Sequence, residues 1–242
     1  MNMNMPVSNA PMPSSGGSKP FYQVWIDALT KPNEQTFADI ASSPNAKATT
    51  AYIWVFVGAL IELFFTFLVQ GVAVRQALAT QGLGGRLPGG SIGITLISAI
   101  CGGPIGAVVL VIFFAIGTAL IQWIAKMFGG KGTNDQLTYS FGAITAPFYL
   151  ISAVFVLLGA IPYVGFCFRI VLGLAGLYVL VLEIMAVKGV NQFGWGEAVG
   201  SVLIPGVVIG LVCCCLIGGI SMAAGAGLKG LFQQLQQNGL GS

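Results

Sequence analysis

The residues that could do chemistry are few, and their types narrow the options at once. The chain has no His, which removes the usual neutral-pH general base, the Ser–His and Cys–His pairs and imidazole zinc sites. Its five Cys are Cys101, Cys167 and the run Cys213-Cys214-Cys215. Neighbours on a helix point about 100° apart, so the run cannot close tightly around one ion, and intramembrane Cys behaves as a small apolar residue. Gly129-Gly130-Lys131-Gly132-Thr133 has the look of a phosphate loop. A Walker motif needs Ser or Thr directly after Lys and a strand before it; Gly132 intervenes, so nucleotide binding is rejected. The segment reads instead as a tight turn. Gly129 or Gly130 ends one helix in a left-handed cap, and Thr133-x-x-Gln136 opens the next with a capping box. What remains is an intramembrane polar set. Gly58, Glu62, Thr66 and Gln70 recur every four residues on one face, Thr118 and Gln122 share that spacing, and Thr138, Thr145 and Ser152 lie on one side of a later helix. Such stripes bond helices together; the sharper alternative is a proton or cation site at Glu62, since a carboxyl in hydrocarbon is costly.

These residues sit in a chain of 242 residues with only 7% charged and 56% hydrophobic, and mean hydropathy is +0.89. A soluble domain carries about 25% charge, so composition excludes a soluble enzyme, a disordered chain and a disulfide scaffold. No charge occurs from Leu87 to Ala125, from Gln136 to Phe168 or from Ala198 to Leu228, each run longer than the roughly 20 residues that cross a bilayer. Ala51–Val74 encloses only Glu62, and Gly165–Val187 only Arg169 and Glu183. The fold class is therefore all-α: a polytopic bundle of five transmembrane helices centred near Ile61, Ala115, Tyr149, Ala175 and Gly210. Ser91–Cys101 is too short to span, and Gly102-Gly103-Pro104 follows it. It reads as an interfacial or re-entrant piece leading into a span at about Ile105–Ala125, with part of a long kinked second span as the open alternative. Arg169 and Glu183 share a face about 21 Å apart and are expected to snorkel to opposite interfaces. Gly102 with Gly106, and Gly206 with Gly210, have the GxxxG spacing of close helix contacts.

Amphipathic helices are expected at both ends. Residues 1–20 read as a disordered tail with no apolar signal core. In 21–46, Phe21, Val24, Trp25, Ala28 and Leu29 fall at helical spacing; after Lys31-Pro32 a second short helix carries Phe37 and Ile40. These either lie in the headgroup layer or pack on the ends of the bundle. The membrane domain covers 47–227. In the tail 228–242, Leu228, Leu231, Phe232 and Leu235 again follow helical spacing. With an inside N-terminus, Lys19, Lys31, Lys47, Lys126, Lys131 and Lys188 fall in the cytoplasm, and Arg75, Arg86, Arg169 and Lys229 outside. The balance favours a cytoplasmic N-terminus and an outside C-terminus. Basic residues are spread singly, so no nucleic-acid partner is implied.

Several segments together resemble the Yip-domain family of five-span membrane proteins. Trp25-x-x-x-Leu29-x-x-Pro32 followed by Phe37-x-x-Ile40 resembles the opening helix of prokaryotic members. Gly129-Gly130-Lys131-Gly132-Thr133 resembles the family's Gly-Gly-x-Gly-Ser/Thr turn. Ala143–Tyr149 with Pro147 resembles the helix after that turn, and Leu182-Glu183, Val190 and Ala198 ahead of Pro205 resemble the junction of the fourth and fifth spans. Many members have a His near the end of the fourth span; this chain has none. The resemblance covers about residues 21–220 and implies five helices, a cytoplasmic N-terminus and, for eukaryotic relatives, trafficking roles through Rab-type GTPases. The short N-terminal segment is similar to the prokaryotic branch, so a Rab-type partner is not carried over.

The functional expectation is a non-enzymatic integral protein of a prokaryotic cell membrane, organising the bilayer or membrane-protein partners, a homo-oligomer included. It uses no catalytic residue, cofactor or metal. The alternative is a small transporter, or a proton or cation pathway, through Glu62, Thr66, Gln70 and Gln122.

Overall fold

A computed structural model describes residues 19–80, 91–161, 163–208 and 210–211. Those residues form helices and connecting turns: α1 (Phe21–Thr30), α2 (Glu34–Ala41), α3 (Ala48–Thr80), α4 (Ser91–Met127), α5 (Asn134–Gly159), α6 (Gly165–Asn191) and a shorter α7 (Trp195–Val208). Local chemistry explains the boundaries. Lys31 precedes Pro32, whose ring disfavours helical backbone at the residue before it, and α1 stops there. Asn33 restarts the chain as the α2 cap, its side-chain oxygen accepting from Thr36 N at 2.7 Å.

α3, α4, α5 and α6 are each long and apolar enough to cross a membrane. They run up and down, with α3 packed on both α4 and α5 and α6 on the other side of α5. α5 is the central helix: 44% of its most apolar window is buried, against 11–17% for the other three. Glycine lets α3 approach it. A Cβ on Gly142 would stand 2.6 Å from Ala51 Cβ, and one on Gly58 would stand 2.9 Å from Ala146 O. Between α3 and α4, Gly102 receives the Phe67 ring and Gly106 the Leu63 side chain, as the GxxxG spacing implies. Gly206 and Gly210, with the same spacing, face open space among the described residues.

α1 and α2 close one end of this bundle, here termed the capped end. Val24, Ala28, Phe37 and Ile40 are buried there in one core with Leu137, Tyr139, Ile144, Leu182, Val187 and Val190. α1 packs against α5 and accepts a hydrogen bond from Tyr178 of α6 at Leu29 O, and α2 packs against both α5 and α6. α1 also keeps Phe21, Tyr22 and Ile26 more than half exposed, so it is apolar on two faces.

Two expectations need refinement. Of the alternatives open for Ser91–Cys101, the structure has part of a long second helix and no separate piece: α4 runs unbroken through Pro104 to Met127. Pro104 forfeits one backbone bond, whereas stopping a helix there would strand several donors and acceptors where no water can satisfy them. The continuous helix is about 55 Å long at 1.5 Å per residue, well beyond the hydrocarbon thickness. Second, four span-length helices occur among the described residues; the fifth expected crossing is described only through α7 and the two residues 210–211. The tails at 1–18 and 228–242, Arg86 and Cys213–Cys215 lie outside the described residues.

Candidate functional site

The glycine turn between α4 and α5 is where the most polar groups converge. α4 ends as the sequence implies. Gly129 has φ +87°, its N–H donates to Lys126 O at 3.0 Å, and Gly130 N–H donates to Ala125 O at 2.8 Å. This pair of bonds with a left-handed glycine is a Schellman motif. α5 then begins with a complete capping box: Gln136 N donates to Thr133 Oγ1 at 3.3 Å, and Thr133 N donates to Gln136 Oε1 at 3.0 Å.

Two buried carboxamides lock that turn to the bundle. Gln122 on α4 donates through Nε2 to Gly132 O at 2.8 Å and to Asn191 Oδ1 at 3.0 Å. Asn191, at the end of α6, donates through Nδ2 to Gln122 Oε1 at 3.3 Å and to Val187 O at 3.1 Å. The backbone of Lys131 donates to Asn191 O at 3.2 Å. Asn191 is 0% and Gln122 4% exposed, so water cannot replace these bonds. Glycine is required by contact: a Cβ on Gly130 would lie 2.5 Å from Asn191 Oδ1, and one on Gly132 2.5 Å from Val190 Cγ1. One turn deeper, Thr138 Oγ1 donates to Thr118 Oγ1 at 3.3 Å. The amides of Gly129, Gly130 and Lys131 all bond protein carbonyls, so they form no phosphate cradle. Carboxamides are neither acids nor bases at neutral pH. The arrangement clamps three helices and offers no proton transfer.

The remaining residues of the expected polar set lie elsewhere. Glu62 is half-buried on α3 and hydrogen-bonded to Ser152 of α5. Thr66 is half-buried and Gln70 exposed. Glu62 lies 14 residues into α3 from the capped end, about 21 Å, whereas Gln122 lies only about 8 Å from the end of α4. The structure thus separates Gln122 from Glu62. Tyr149 of α5 is within electrostatic reach of both Glu62 and Glu183. Arg169 is exposed early in α6, but Glu183 is half-buried two turns before its end. Cys101 and Cys167 are free and exposed, and no cluster of His, Cys, Asp or Glu among the described residues could hold a metal.

Two further features tie the short helices to the spans. Phe21, Trp25, Trp54 and Tyr139 form a chain of rings with centroids 5.3, 5.7 and 5.0 Å apart, joining α1, α3 and α5. Lys188 of α6 pairs with Glu34 of α2 and lies 4.3 Å over the Trp195 ring. At the surface, Asp27 bonds Lys31 at 2.7 Å and Lys19 at 3.0 Å. Lys31 above all holds its carboxyl below the ordinary value of 3.8, against a smaller upward push from burial. Neither Asn191 nor the Glu34–Lys188 pair was legible in the sequence. The signal available was a lone Asn closing an apolar span, with nothing in its spacing to link it to residues 122 and 132.

A family model described as Yip1 domain matches residues 26–217. No curated protein and no solved structure matches the chain.

Proposed function

The chain belongs to the Yip1 domain family, and from that premise we propose that it is a non-enzymatic membrane organiser acting through helix–helix and lipid contacts. It is a multi-pass integral membrane protein with a lipid bilayer as its first partner. The observation that carries the proposal is how its intramembrane polar groups are used. Gln122 of α4 and Asn191 of α6 bond each other, Thr138 of α5 bonds Thr118 of α4, and Ser152 bonds Tyr149 O within α5, while the outward faces of α4 and α6 are apolar from Ile105 to Trp123 and from Ile170 to Val181. That division suits a rigid body which presents surface to lipid and to other spans. Partners fitting it are membrane proteins or a second copy of the chain; nothing favours a Rab-type GTPase.

The proposed topology places the capped end in the cytoplasm of a prokaryotic cell. Lys19, Lys31, Lys47, Lys126, Lys131 and Lys188 all belong to that end, which the positive-inside rule assigns to the cytoplasm. α7 is the start of the fifth span in this reading, and the C-terminus is outside.

A second reading, a proton or cation pathway, has one observation in its favour: Glu62 is half-buried on α3, among the span-length helices. Reconstitution separates the two. In proteoliposomes the organiser leaves pH and cation gradients intact, and lipid or protein partners co-purify with it. Gradient collapse that is lost in Glu62→Gln would overturn the organiser reading and establish the pathway.

A further inference from the structure

α2 and the end of α6 do not close fully against each other. Between them lies a cleft of about 380 Å³, lined by Glu34, Gln35 and Ala38 from one side and Lys188, Gln192 and Phe193 from the other. Its depth in the membrane follows from the helix that forms its wall. α6 has 27 residues, about 40 Å at 1.5 Å per residue, against a hydrocarbon core of about 30 Å. Lys188 is three residues from its end, so the cleft opens in the headgroup layer. Exposed aromatic side chains mark the same end: Trp195 is 52% and Trp123 63% exposed, as in the aromatic belts of membrane proteins.

The charges in the cleft select among headgroups. It contains one base and one acid in contact, and the Trp195 ring holds the ammonium from a further side. The Glu34 side chain is 54% exposed, but that of Lys188 only 16%. A net-anionic headgroup brought to Lys188 would face Glu34 uncompensated. A trimethylammonium group has no N–H to donate to Glu34. A phosphoethanolamine group answers both residues: its phosphate bonds the Lys188 ammonium and its own ammonium bonds the Glu34 carboxylate. The single ion pair becomes an alternating set of four charges, and Phe193 gives the cleft an apolar wall. We propose that the α2–α6 cleft is a binding site for the zwitterionic phosphoethanolamine headgroup of a membrane lipid. The proposal rests on the membrane-organiser reading and names the lipid chemistry that reading uses.

The test is native mass spectrometry of the full chain in detergent, offered equal amounts of chain-matched phosphatidylethanolamine, phosphatidylcholine and phosphatidylglycerol. The wild type retains phosphatidylethanolamine about tenfold over the others, a difference in reach of one charge-assisted contact. Glu34→Gln reduces that preference. Ala38→Phe fills the cleft, leaves both charged residues in place and brings the preference to parity without lowering the melting temperature. Stabilisation by soluble phosphoethanolamine as large as by the lipid supports the headgroup chemistry and assigns the site to a soluble ester; stabilisation by the lipid alone assigns it to the bilayer. Equal retention of all three lipids by the wild type, or an undiminished preference in Ala38→Phe, refutes the site. Either result in a protein that leaves ion gradients intact spares the organiser reading, whereas gradient collapse refutes that reading and leaves headgroup preference to be judged separately.

Discussion

Replacing Asn191 with Leu removes two bonds between α6 and α4 while keeping the number and branching of the side-chain heavy atoms. Gln122 Nε2 loses its 3.0 Å acceptor and Gln122 Oε1 its 3.3 Å donor, although Nε2 keeps Gly132 O at 2.8 Å. Each lost bond is worth about 0.5–1.5 kcal/mol, and a buried acceptor left unpaired costs about 1–3 kcal/mol. Hydrogen bonds between membrane helices average nearer 0.6 kcal/mol, because the unfolded chain in lipid also finds partners. Weighing both scales, Asn191→Leu is expected to destabilise by about 2 kcal/mol. Gln122→Leu is expected to cost more, about 3 kcal/mol, since Gly132 O is orphaned as well. The double variant removes both ends of the carboxamide pair together, so it is expected to cost less than the sum by about 1–2 kcal/mol. Unfolding in mixed micelles titrated with a denaturing detergent, followed by tryptophan fluorescence, measures all four states of the cycle. Additivity within about 0.5 kcal/mol, or an Asn191→Leu cost below that figure, would show that the pair does not clamp the turn.

The turn glycines provide an ordered series for the same assay. Gly130→Ala places a Cβ 2.5 Å from Asn191 Oδ1 and 2.9 Å from Ala125 O, and is expected to cost more than Gly129→Ala. The latter meets open space and is penalised only by its φ of +87°, about 1 kcal/mol; the reverse order would remove the contact argument. Between α3 and α5, Gly142→Leu is expected to prevent accumulation of folded protein, because even a Cβ meets Ala51 at 2.6 Å. Gly117→Ala, with nothing within 4 Å, is expected to be neutral or to stabilise by about 0.5–1 kcal/mol through helix propensity. Acidification tests the docking of α1. Asp27 has its carboxyl lowered in the folded chain by Lys31 first and Lys19 next, so its contribution is complete above its ordinary value of 3.8 and is lost as pH falls through the lower folded value. The lysine side chains are 55% and 63% exposed, which limits the amplitude to under about 1 kcal/mol. The protection factors of α1 amides, measured against the intrinsic exchange rate at each pH, are expected to fall below about pH 4 in the wild type and to stay constant in that window in Asp27→Asn.

Much of the architecture follows from local rules that a single chain displays. Apolar runs long enough to cross a bilayer become helices because no other open segment can satisfy its backbone in lipid; α5 lies where a charge-free run predicts, and α3 and α6 where the two runs with isolated charges predict. Gly129 and Thr133-x-x-Gln136 were readable as caps because capping partners are three to five residues apart. α1 and α2 were readable from their periodic apolar residues and from Pro32. Long-range partners carry no such mark. Residues 122, 132 and 191 come together because α4 and α6 end at the same level beside the turn, and sequence spacing does not encode that level. For the same reason Gln122, which shares its spacing with Thr118 and is grouped with Glu62 only as a candidate polar site, joins the turn instead. The cost of breaking α4 at Pro104 likewise depends on the surroundings in which the backbone must find partners. Hydrophobic run length and capping chemistry belong to the chain itself; the clamp, the cleft and the choice of faces arise only when helices distant in sequence are packed side by side.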